Sequence, residues 1–444
     1  MDRRSFLKTS GAAAALAGLA ACTGPKGKEK GASTTQEIGI DGPMLQNYPG
    51  VGVLGYGCMR WPMIKDAEGK DVIDQETVNQ LVDEALAHGV NYFDTSPVYL
   101  RGDSERATAV ALNRHPRESW LLATKLSNFA DASYENSVKM YRRSLEIFNT
   151  DHIDYYLLHA IGSAEDFSRR FESTGIMDFL LKEREKGHIR KLGFSIHSHK
   201  EGFDSMMELH PKYHWDFVQI QMNYLDWTHA GGRNTNADHM YAELAARDIP
   251  VVIMEPLRGG GLASLTKSQT ALLKSREPDR SVASWAFRFV GSFPKVLTAL
   301  SGMTYKEHLE DNLKTFCNFK PLVPEEFELL EQIADEQSRF PLVGCTGCEY
   351  CMPCPYGIDI PGVFRFYDKS VVEGSFVKGP EQEGYARLRR RYLAEYDKSV
   401  ESVRQADHCI SCGKCMHACP QHIRIPRELK RIDDYIESIK QDLL

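Results

Sequence analysis

Four residues of types suited to proton transfer lie between positions 94 and 159 of the chain. Asp94 and Tyr99 are five residues apart in NYFDTSPVYL, Lys125 belongs to the run LLATKL, and His159 to IDYYLLHA. A free tyrosine has a pKa of about 10 and donates its proton poorly near neutral pH. We expect the Lys125 ammonium to lower this pKa and Asp94 to hold the ammonium in place. Tyr99 would then protonate a carbonyl oxygen as a hydride reaches the carbon, with His159 orienting that oxygen.

These side chains need a scaffold that brings several strand ends together. Between residues 50 and 315, short apolar segments alternate with segments of helical periodicity. Eight such units in about 260 residues predict an α/β fold, a parallel (β/α)8 TIM barrel, whose functional residues gather at the strand C-termini. The predicted strands are 52–57, 91–95, 120–126, 153–160, 190–197, 216–223, 250–256 and 295–302. The alternative is that the four polar residues only plug the barrel mouth.

Eight of the eleven cysteines lie after residue 344, in two runs. The second run, CISCGKCMHACP, has the spacing C-x2-C-x2-C-x3-C-P that holds [4Fe–4S] clusters in bacterial ferredoxins. Three cysteines of one run would bind a cluster together with the last cysteine of the other run. The predicted ligand sets are Cys345, Cys348, Cys351 and Cys419 for one cluster, and Cys409, Cys412, Cys415 and Cys354 for the other.

Some features of the cysteine runs leave alternatives open. The first run has two residues instead of three before its last cysteine, and 54 residues separate the runs, so one cluster is the alternative to two. Zinc prefers well-separated C-x2-C pairs, and disulfides between cysteines three apart are geometrically awkward; both are weaker alternatives. Both runs continue as CP-x-x-I-x-I-P, an internal repeat in a region without strand alternation. We therefore predict a small, mainly α, ferredoxin-like domain over residues 343–444.

The segment 48–317 resembles the aldo/keto reductase family. The resemblance rests on LGYGCMRWP, GVNYFDTSPVY, ATKL, IDYYLLHA, GFSIH, VQIQMN, EPLRGGGLA and SGMTYKEHLEDNL, and the family's catalytic tetrad is present as Asp94, Tyr99, Lys125 and His159. The resemblance implies a nicotinamide cofactor, NADP or NAD, across the barrel mouth. The residues that match the family's binding positions are Ser195 and Gln219 at the nicotinamide, Leu257, Arg258, Gly259, Gly260 and Gly261 at the pyrophosphate, and Asn312 at the adenine.

Two positions depart from the family pattern. Ile196 stands where the family usually has an asparagine that holds the carboxamide, and SGMTYKEH lacks the lysine and arginine pattern that grips the 2′-phosphate of NADP. Cofactor binding is therefore less firmly implied than the fold.

The N-terminus reads as an export signal. Arg3-Arg4-x-Phe6-Leu7-Lys8 resembles a twin-arginine signal, which serves proteins that fold around a cofactor before export, and the apolar run behind it is too short to span a bilayer. LAAC, ending at Cys22, resembles a lipobox and would make Cys22 a lipid anchor. We divide the chain into a signal (1–22), a tether (23–47), the barrel (48–322), a linker helix (323–342) and the cluster domain (343–444).

Composition excludes some functions and leaves two in competition. The net charge is −7 over 444 residues, and no basic stripe suggests nucleic acid as a partner. The leading hypothesis is an exported, periplasmic or membrane-associated oxidoreductase that interconverts a small carbonyl compound and an alcohol, accompanied by cluster electron transfer and served by a redox partner protein. In the alternative, the protein is an electron carrier whose barrel is a binding or scaffold module. A third, weaker version gives the clusters a purely structural role.

Overall fold

The computed structural model describes residues 39–231, 234–338, 342–421 and 423–444. The predicted signal, Cys22 and most of the tether lie outside these residues. The described residues form ten strands: β1 Leu54–Gly57, β2 Met63–Lys65, β3 Asp71–Ile73, β4 Tyr92–Asp94, β5 Leu121–Leu126, β6 Ile153–Ile161, β7 Ile189–Ile196, β8 Phe217–Gln221, β9 Val251–Met254 and β10 Val296–Ser301. Eight of them close into a parallel barrel in the order β1-β10-β9-β8-β7-β6-β5-β4, which confirms the predicted (β/α)8 fold.

The eight barrel strands were all predicted from the sequence, with ends within two residues of those observed. The pair β2 and β3 was not predicted. It is an antiparallel hairpin outside the barrel, and its residues are mostly exposed, so no core pattern marks it in the sequence.

Helices surround the barrel and build the C-terminal domain. They are α1 Gln75–Ala87, α2 Ser104–Leu112, α3 Tyr134–Phe148, α4 Ala164–Phe167, α5 Ile176–Glu185, α6 Lys200–Glu208, α7 His210–Tyr213, α8 Asp226–His229, α9 Ala237–Ala246, α10 Lys267–Arg276, α11 Val282–Gly291, α12 Lys306–Phe316, α13 Pro324–Ser338, α14 Ile360–Val372, α15 Tyr385–Ser399 and α16 Ile425–Gln441. Among the described residues, none of these helices has the length and apolar character needed to cross a membrane.

Alternation along the strands decides where the barrel changes from apolar to polar. One buried layer inside the barrel includes Tyr92, Ala123, Leu157 and Phe217. Because side chains two residues apart on a strand share a face, the next layer toward the C-terminal mouth comes from the residues two positions later. Those residues are Asp94, Lys125, His159 and Gln219. The floor of the site is thus a packed apolar layer, and its walls are polar.

The C-terminal domain has a hydrophobic core of its own, formed by α14, α15, α16 and the segments between them. The internal repeat has a structural counterpart, since α14 and α16 both begin at the repeated I-P, with the proline in the first turn. Each cysteine run therefore leads directly into a core helix.

Candidate active site and cluster sites

The four predicted catalytic side chains meet at the C-terminal mouth of the barrel. Asp94 ends β4, and Tyr99 follows it in a short 3-10 turn. Lys125 Nζ lies 2.5 Å from Asp94 Oδ1 and donates to the carbonyl oxygen of Thr95 at 2.9 Å. The ring centroids of Tyr99 and His159 are 5.9 Å apart. All four side chains are buried, so each must be satisfied by its neighbours or by a bound molecule.

The expected lowering of the Tyr99 pKa is not what the structure shows. Lys125 Nζ lies 4.7 Å from the centroid of the Tyr99 ring, so the ammonium sits over the ring face, and its hydrogen bonds go to Asp94 and Thr95. Burial raises the pKa of Tyr99 well above its usual value, and the charge of Asp94 raises it further. The predicted lowering of the Tyr99 pKa is therefore wrong. Tyr99 keeps its proton at neutral pH, as a proton donor must.

His159 is held by serines that the sequence analysis did not identify. Its Nδ1 lies 2.5 Å from Ser127 Oγ and 3.4 Å from Ser96 Oγ, and the two hydroxyls lie 2.9 Å apart. Burial lowers the pKa of His159 well below 6.5, and the nearby charge of Lys125 lowers it further. The ring is therefore neutral, and Nε2 is the nitrogen that can meet an oxygen in the cavity. Ser127 lies two residues after Lys125, immediately beyond the end of β5, and this spacing is the signal that could have found it.

Strained backbone surrounds the site. Leu100, Arg101, Ala160, Glu255 and Arg258 all have φ between 48° and 59°, in the left-handed region that residues other than glycine rarely adopt. Each such residue costs of the order of 1–3 kcal/mol and persists where the surrounding structure enforces it. Four of them lie in the segments that follow β4 and β9, and Ala160 lies near the C-terminal end of β6.

A cavity of about 560 Å³ opens from the four residues toward α12, a volume typical of small-molecule sites. Most of the predicted site residues line it: Asp94, Tyr99, Lys125, His159, Ser195, Gln219, Leu257, Gly259, Gly260 and Asn312. Asn312 is tied by its Nδ2 to Ser301 Oγ at 3.0 Å. Ser195 Oγ accepts a hydrogen bond from the Ala160 N–H at 2.8 Å.

Arg258 is not brought to this cavity. Its Nε lies 3.5 Å from Asp226 Oδ1, and its guanidinium approaches Gly344 so closely that a Cβ there would be 2.9 Å from Nη2. Arg258 lines a second cavity between the barrel and the C-terminal domain. The prediction that Arg258 binds a cofactor beside Gly259 is therefore not supported, because the C-terminal domain occupies the space into which this side chain extends.

The first predicted cluster set is assembled around one small space. Cys345, Cys348, Cys351 and Cys419 line it together, with Ile360, Phe364 and Ile425 among the surrounding side chains. Burial raises the pKa of the Cys345 thiol to about 11 and that of Cys348 to about 12, and the charge of Cys419 raises both. Thiols become deprotonated when they bind metal.

The second set is closer to solvent. Burial raises the pKa of the Cys415 thiol to about 11, and the charges of Cys409, Cys354 and Cys412 raise it as well, so the structure brings these four residues together. Cys412 is exposed. Among the described residues, no group of three or more His, Cys, Asp or Glu is arranged around a single metal ion. The grouping observed is the crossed arrangement in which each run gives three cysteines to one set and one to the other.

The C-terminal domain closes the barrel mouth. Cys348, Tyr350, Pro420 and Gln421 line the same cavity as Tyr99. No pattern in the sequence marks Tyr350, because its position depends on how the two domains dock.

Comparisons with known proteins agree with this architecture. The family model described as "Aldo/keto reductase family" matches residues 53–335, "4Fe-4S dicluster domain" matches residues 344–425, and "TAT (twin-arginine translocation) pathway signal sequence" matches residues 1–20. The first match covers well over half of the chain. The chain belongs to the aldo/keto reductase family. It carries, in addition, an iron–sulfur domain and a twin-arginine signal.

Individual relatives are distant. The uncharacterized oxidoreductase YqkF of Bacillus subtilis is 25% identical over 56% of this chain and 85% of its own length. The probable aldo-keto reductase 1 of Glycine max is 28% identical over 40% of this chain, and the match spans 49% of that protein. A crystal structure of the aldo-keto reductase from Klebsiella pneumoniae in complex with NADPH aligns with a TM-score of 0.51 at 20% identity, covering 64% of this chain and 91% of that one. The structural likeness shows the shared barrel fold.

The inner end of the cavity fits the nicotinamide that the aldo/keto reductase family implies. Gln219 Oε1 is buried and, among the described residues, has no hydrogen-bond partner. Because such an acceptor is costly unless paired, the N–H2 of a carboxamide is a suitable partner for it. Ile196 packs in the hydrophobic core instead, so this position contributes nothing to the carboxamide.

Proposed function

We propose that this protein is an exported iron–sulfur oxidoreductase that interconverts a carbonyl compound and an alcohol in the barrel cavity. The observation that carries the proposal is the assembly of Tyr99, Lys125, Asp94 and His159 at one end of that cavity, with a protonated phenol and a neutral imidazole. A buried phenol that keeps its proton is a suitable donor to a carbonyl oxygen.

In this proposal Tyr99 and His159 act on the substrate oxygen, and Lys125, held by Asp94, acts on Tyr99. Tyr99 donates a proton to the carbonyl oxygen, and His159 Nε2 orients that oxygen. The Lys125 ammonium, held by Asp94 at 2.5 Å, lies against the Tyr99 ring and stabilises the negative charge left on the phenol. A bound nicotinamide supplies the hydride. Ser195 and Gln219 would hold its carboxamide end.

The outer end of the cavity favours NAD over NADP. Glu307 and Asp311 line it beside Asn312. A carboxylate suits the 2′-hydroxyl of a ribose and repels a 2′-phosphate. We therefore expect NADH to bind more tightly than NADPH, which calorimetry on the oxidised protein would measure; tighter binding of NADPH would contradict this assignment.

We further propose that the two cysteine sets hold two [4Fe–4S] clusters that exchange single electrons with a redox partner protein. The second set, with its exposed Cys412, would face the partner, and the first set lies against the barrel cavity through Cys348. The twin-arginine match supports export of the folded, cluster-loaded protein. Lipidation at Cys22 would then place it on a membrane surface, and Cys22→Ser would release it into the soluble fraction.

One experiment tests the enzymatic proposal against the electron-carrier alternative. The mature chain is purified anaerobically, its iron is counted, and turnover of benzaldehyde with NADH is compared in wild type and Tyr99→Phe. We expect the variant to retain its iron and to lose at least about 100-fold in kcat/KM, since general acid catalysis contributes about 10²–10⁴-fold. Equal turnover in the two proteins, or no nicotinamide binding at all, would favour the carrier.

A further inference from the structure

Tyr350 belongs to both halves of the molecule. It lies in the sequence Cys348-Glu349-Tyr350-Cys351, between two cysteines of the first cluster set, and it lines the barrel cavity together with Tyr99. Cys348 also lines that cavity. A predicted cluster ligand, the tyrosine two residues after it and the proton donor of the barrel therefore line one cavity.

The segment that carries Tyr350 is fixed on the barrel. Arg60 Nη2 donates to the Thr346 carbonyl oxygen at 2.6 Å, and Thr346 packs so tightly on Gly259 that a Cβ at Gly259 would lie 2.4 Å from that oxygen. The other cysteine run is fixed nearby, because Gln421 Nε2 donates to the buried Gln221 Oε1 at 2.9 Å. These contacts hold the first cluster set against the mouth.

The same segment leaves Tyr350 little freedom to move alone. Only Glu349 and Tyr350 separate Cys348 from Cys351, and Glu349 is already in the left-handed region with φ of 62°. A substrate oxygen that binds Tyr99 must enter the part of the cavity that Tyr350 lines. Any displacement of Tyr350 therefore reaches the two adjacent cysteines.

We propose that Tyr350 is a positioning residue that couples the barrel site to the first cluster, so that the hydrogen-bonding state of Tyr99 changes the reduction potential of the cluster held by Cys345, Cys348, Cys351 and Cys419. The inference rests on the proposed cluster ligands and deepens the proposed function. Hydrogen bonds and solvent exposure near the cysteine sulfurs are among the features that set cluster potentials. Because coupling between two sites is reciprocal, reduction of this cluster changes the affinity of Tyr99 for a substrate oxygen by the same factor.

The test is a double-mutant cycle on the anaerobically purified mature chain, read by redox titration with electron paramagnetic resonance. Tyr99→Phe removes the hydroxyl from the barrel side and Tyr350→Phe from the cluster side. We expect either variant to shift the midpoint potential of one and the same cluster. The double variant should shift it no further than one single variant, because both remove the same interaction. The cluster concerned is the one that Cys351→Ser eliminates.

Matched controls separate this coupling from general loosening. Tyr356→Phe changes an exposed tyrosine in the same cysteine run, and Tyr156→Phe removes a buried barrel hydroxyl; both should leave the two potentials unchanged. An unchanged potential in Tyr99→Phe, or fully additive shifts in the double variant, would overturn the inference. Its outcome is independent of turnover, so loss of the proposed activity and loss of the coupling can be told apart.

Discussion

At the scale of single residues, the site depends on how the tetrad side chains are held. Lys125 and Asp94 form a buried pair in which burial lowers the pKa of the lysine and raises that of the aspartate, each opposed by the partner's charge. Removing one partner of such a pair leaves the other charge uncompensated. The Lys125–Asp94 pair therefore stabilises the barrel mouth in addition to supporting proton transfer by Tyr99.

Ser127 provides the most specific test of this support. Replacing it by alanine should remove the 2.5 Å contact to His159 Nδ1 and let the ring rotate. A lost hydrogen bond of about 1 kcal/mol corresponds to a decrease of about five- to tenfold in kcat/KM for aldehyde reduction. Ser96→Ala is the matched control, since its hydroxyl lies at 3.4 Å from the same atom. A larger decrease in kcat/KM from Ser96→Ala would show that Ser96, and not Ser127, orients His159.

The pH dependence of aldehyde reduction follows from two shifted groups. His159 must be neutral, and its lowered pKa places this form above a pH well below 6.5. Tyr99 must be protonated, and its raised pKa keeps it so to well above pH 10. On its acid side, the profile of kcat/KM should therefore lack the limb that a histidine of ordinary pKa near 6.5 would give. A limb with its midpoint between pH 6 and 7 would show that His159 titrates in the working enzyme.

Much of the arrangement of the site residues could be predicted from the sequence, but two of its features could not. Asp94, Lys125 and His159 could be predicted because period-two alternation along β4, β5 and β6 places them above an apolar layer, and Tyr99 follows β4 in a short turn. The pKa of Tyr99 could not, since its direction depends on whether the Lys125 ammonium meets the phenol oxygen or the ring face. The direction of the Arg258 side chain could not be predicted either, because it depends on the domain packed beside it.

At the scale of elements, the decisive contact joins the glycine turn after β9 to the cysteine segment. Gly259 and Gly260 both have positive φ, 66° and 97°, but only Gly259 faces Thr346, while a Cβ on Gly260 would meet nothing within 4 Å. The two positions therefore share the backbone requirement and differ in the contact between domains.

This difference yields a matched pair of variants. Gly260→Ala should lower the free energy of unfolding by about 1–2 kcal/mol, the cost of a side chain in the left-handed region. Gly259→Ala should lower it clearly more, because it also forces the Thr346 backbone away from the barrel. Thermal unfolding and the rate of cluster bleaching in air would measure both effects. Equal losses of stability in the two variants would mean that the backbone around Thr346 moves away from the barrel at no cost in free energy.

At the scale of the whole molecule, two independently cored domains share one site. The barrel contributes Tyr99, the Lys125–Asp94 ion pair and most of the cavity. The C-terminal domain contributes one wall of that cavity through Cys348, Tyr350 and Gln421. The spacing of the cysteines predicted the crossed grouping of the two sets. Their position over the barrel mouth could not be predicted, because it depends on contacts between residues more than 200 positions apart, such as Arg60 with Thr346.

The crossed grouping makes a prediction about iron content that depends on pairs of variants. If Cys354 belongs with Cys412, then Cys354→Ser and Cys412→Ser each remove the same cluster, and the double variant should retain about as much iron as either alone, half of the wild-type content in a two-cluster domain. Combining Cys354→Ser with Cys348→Ser should instead remove ligands from both clusters and abolish nearly all bound iron. Iron analysis and absorbance of the anaerobic proteins would measure this. The opposite pattern would show that each run binds its own cluster, and the first cluster would then lack Cys419, the ligand that joins the two halves of the repeat beside the barrel.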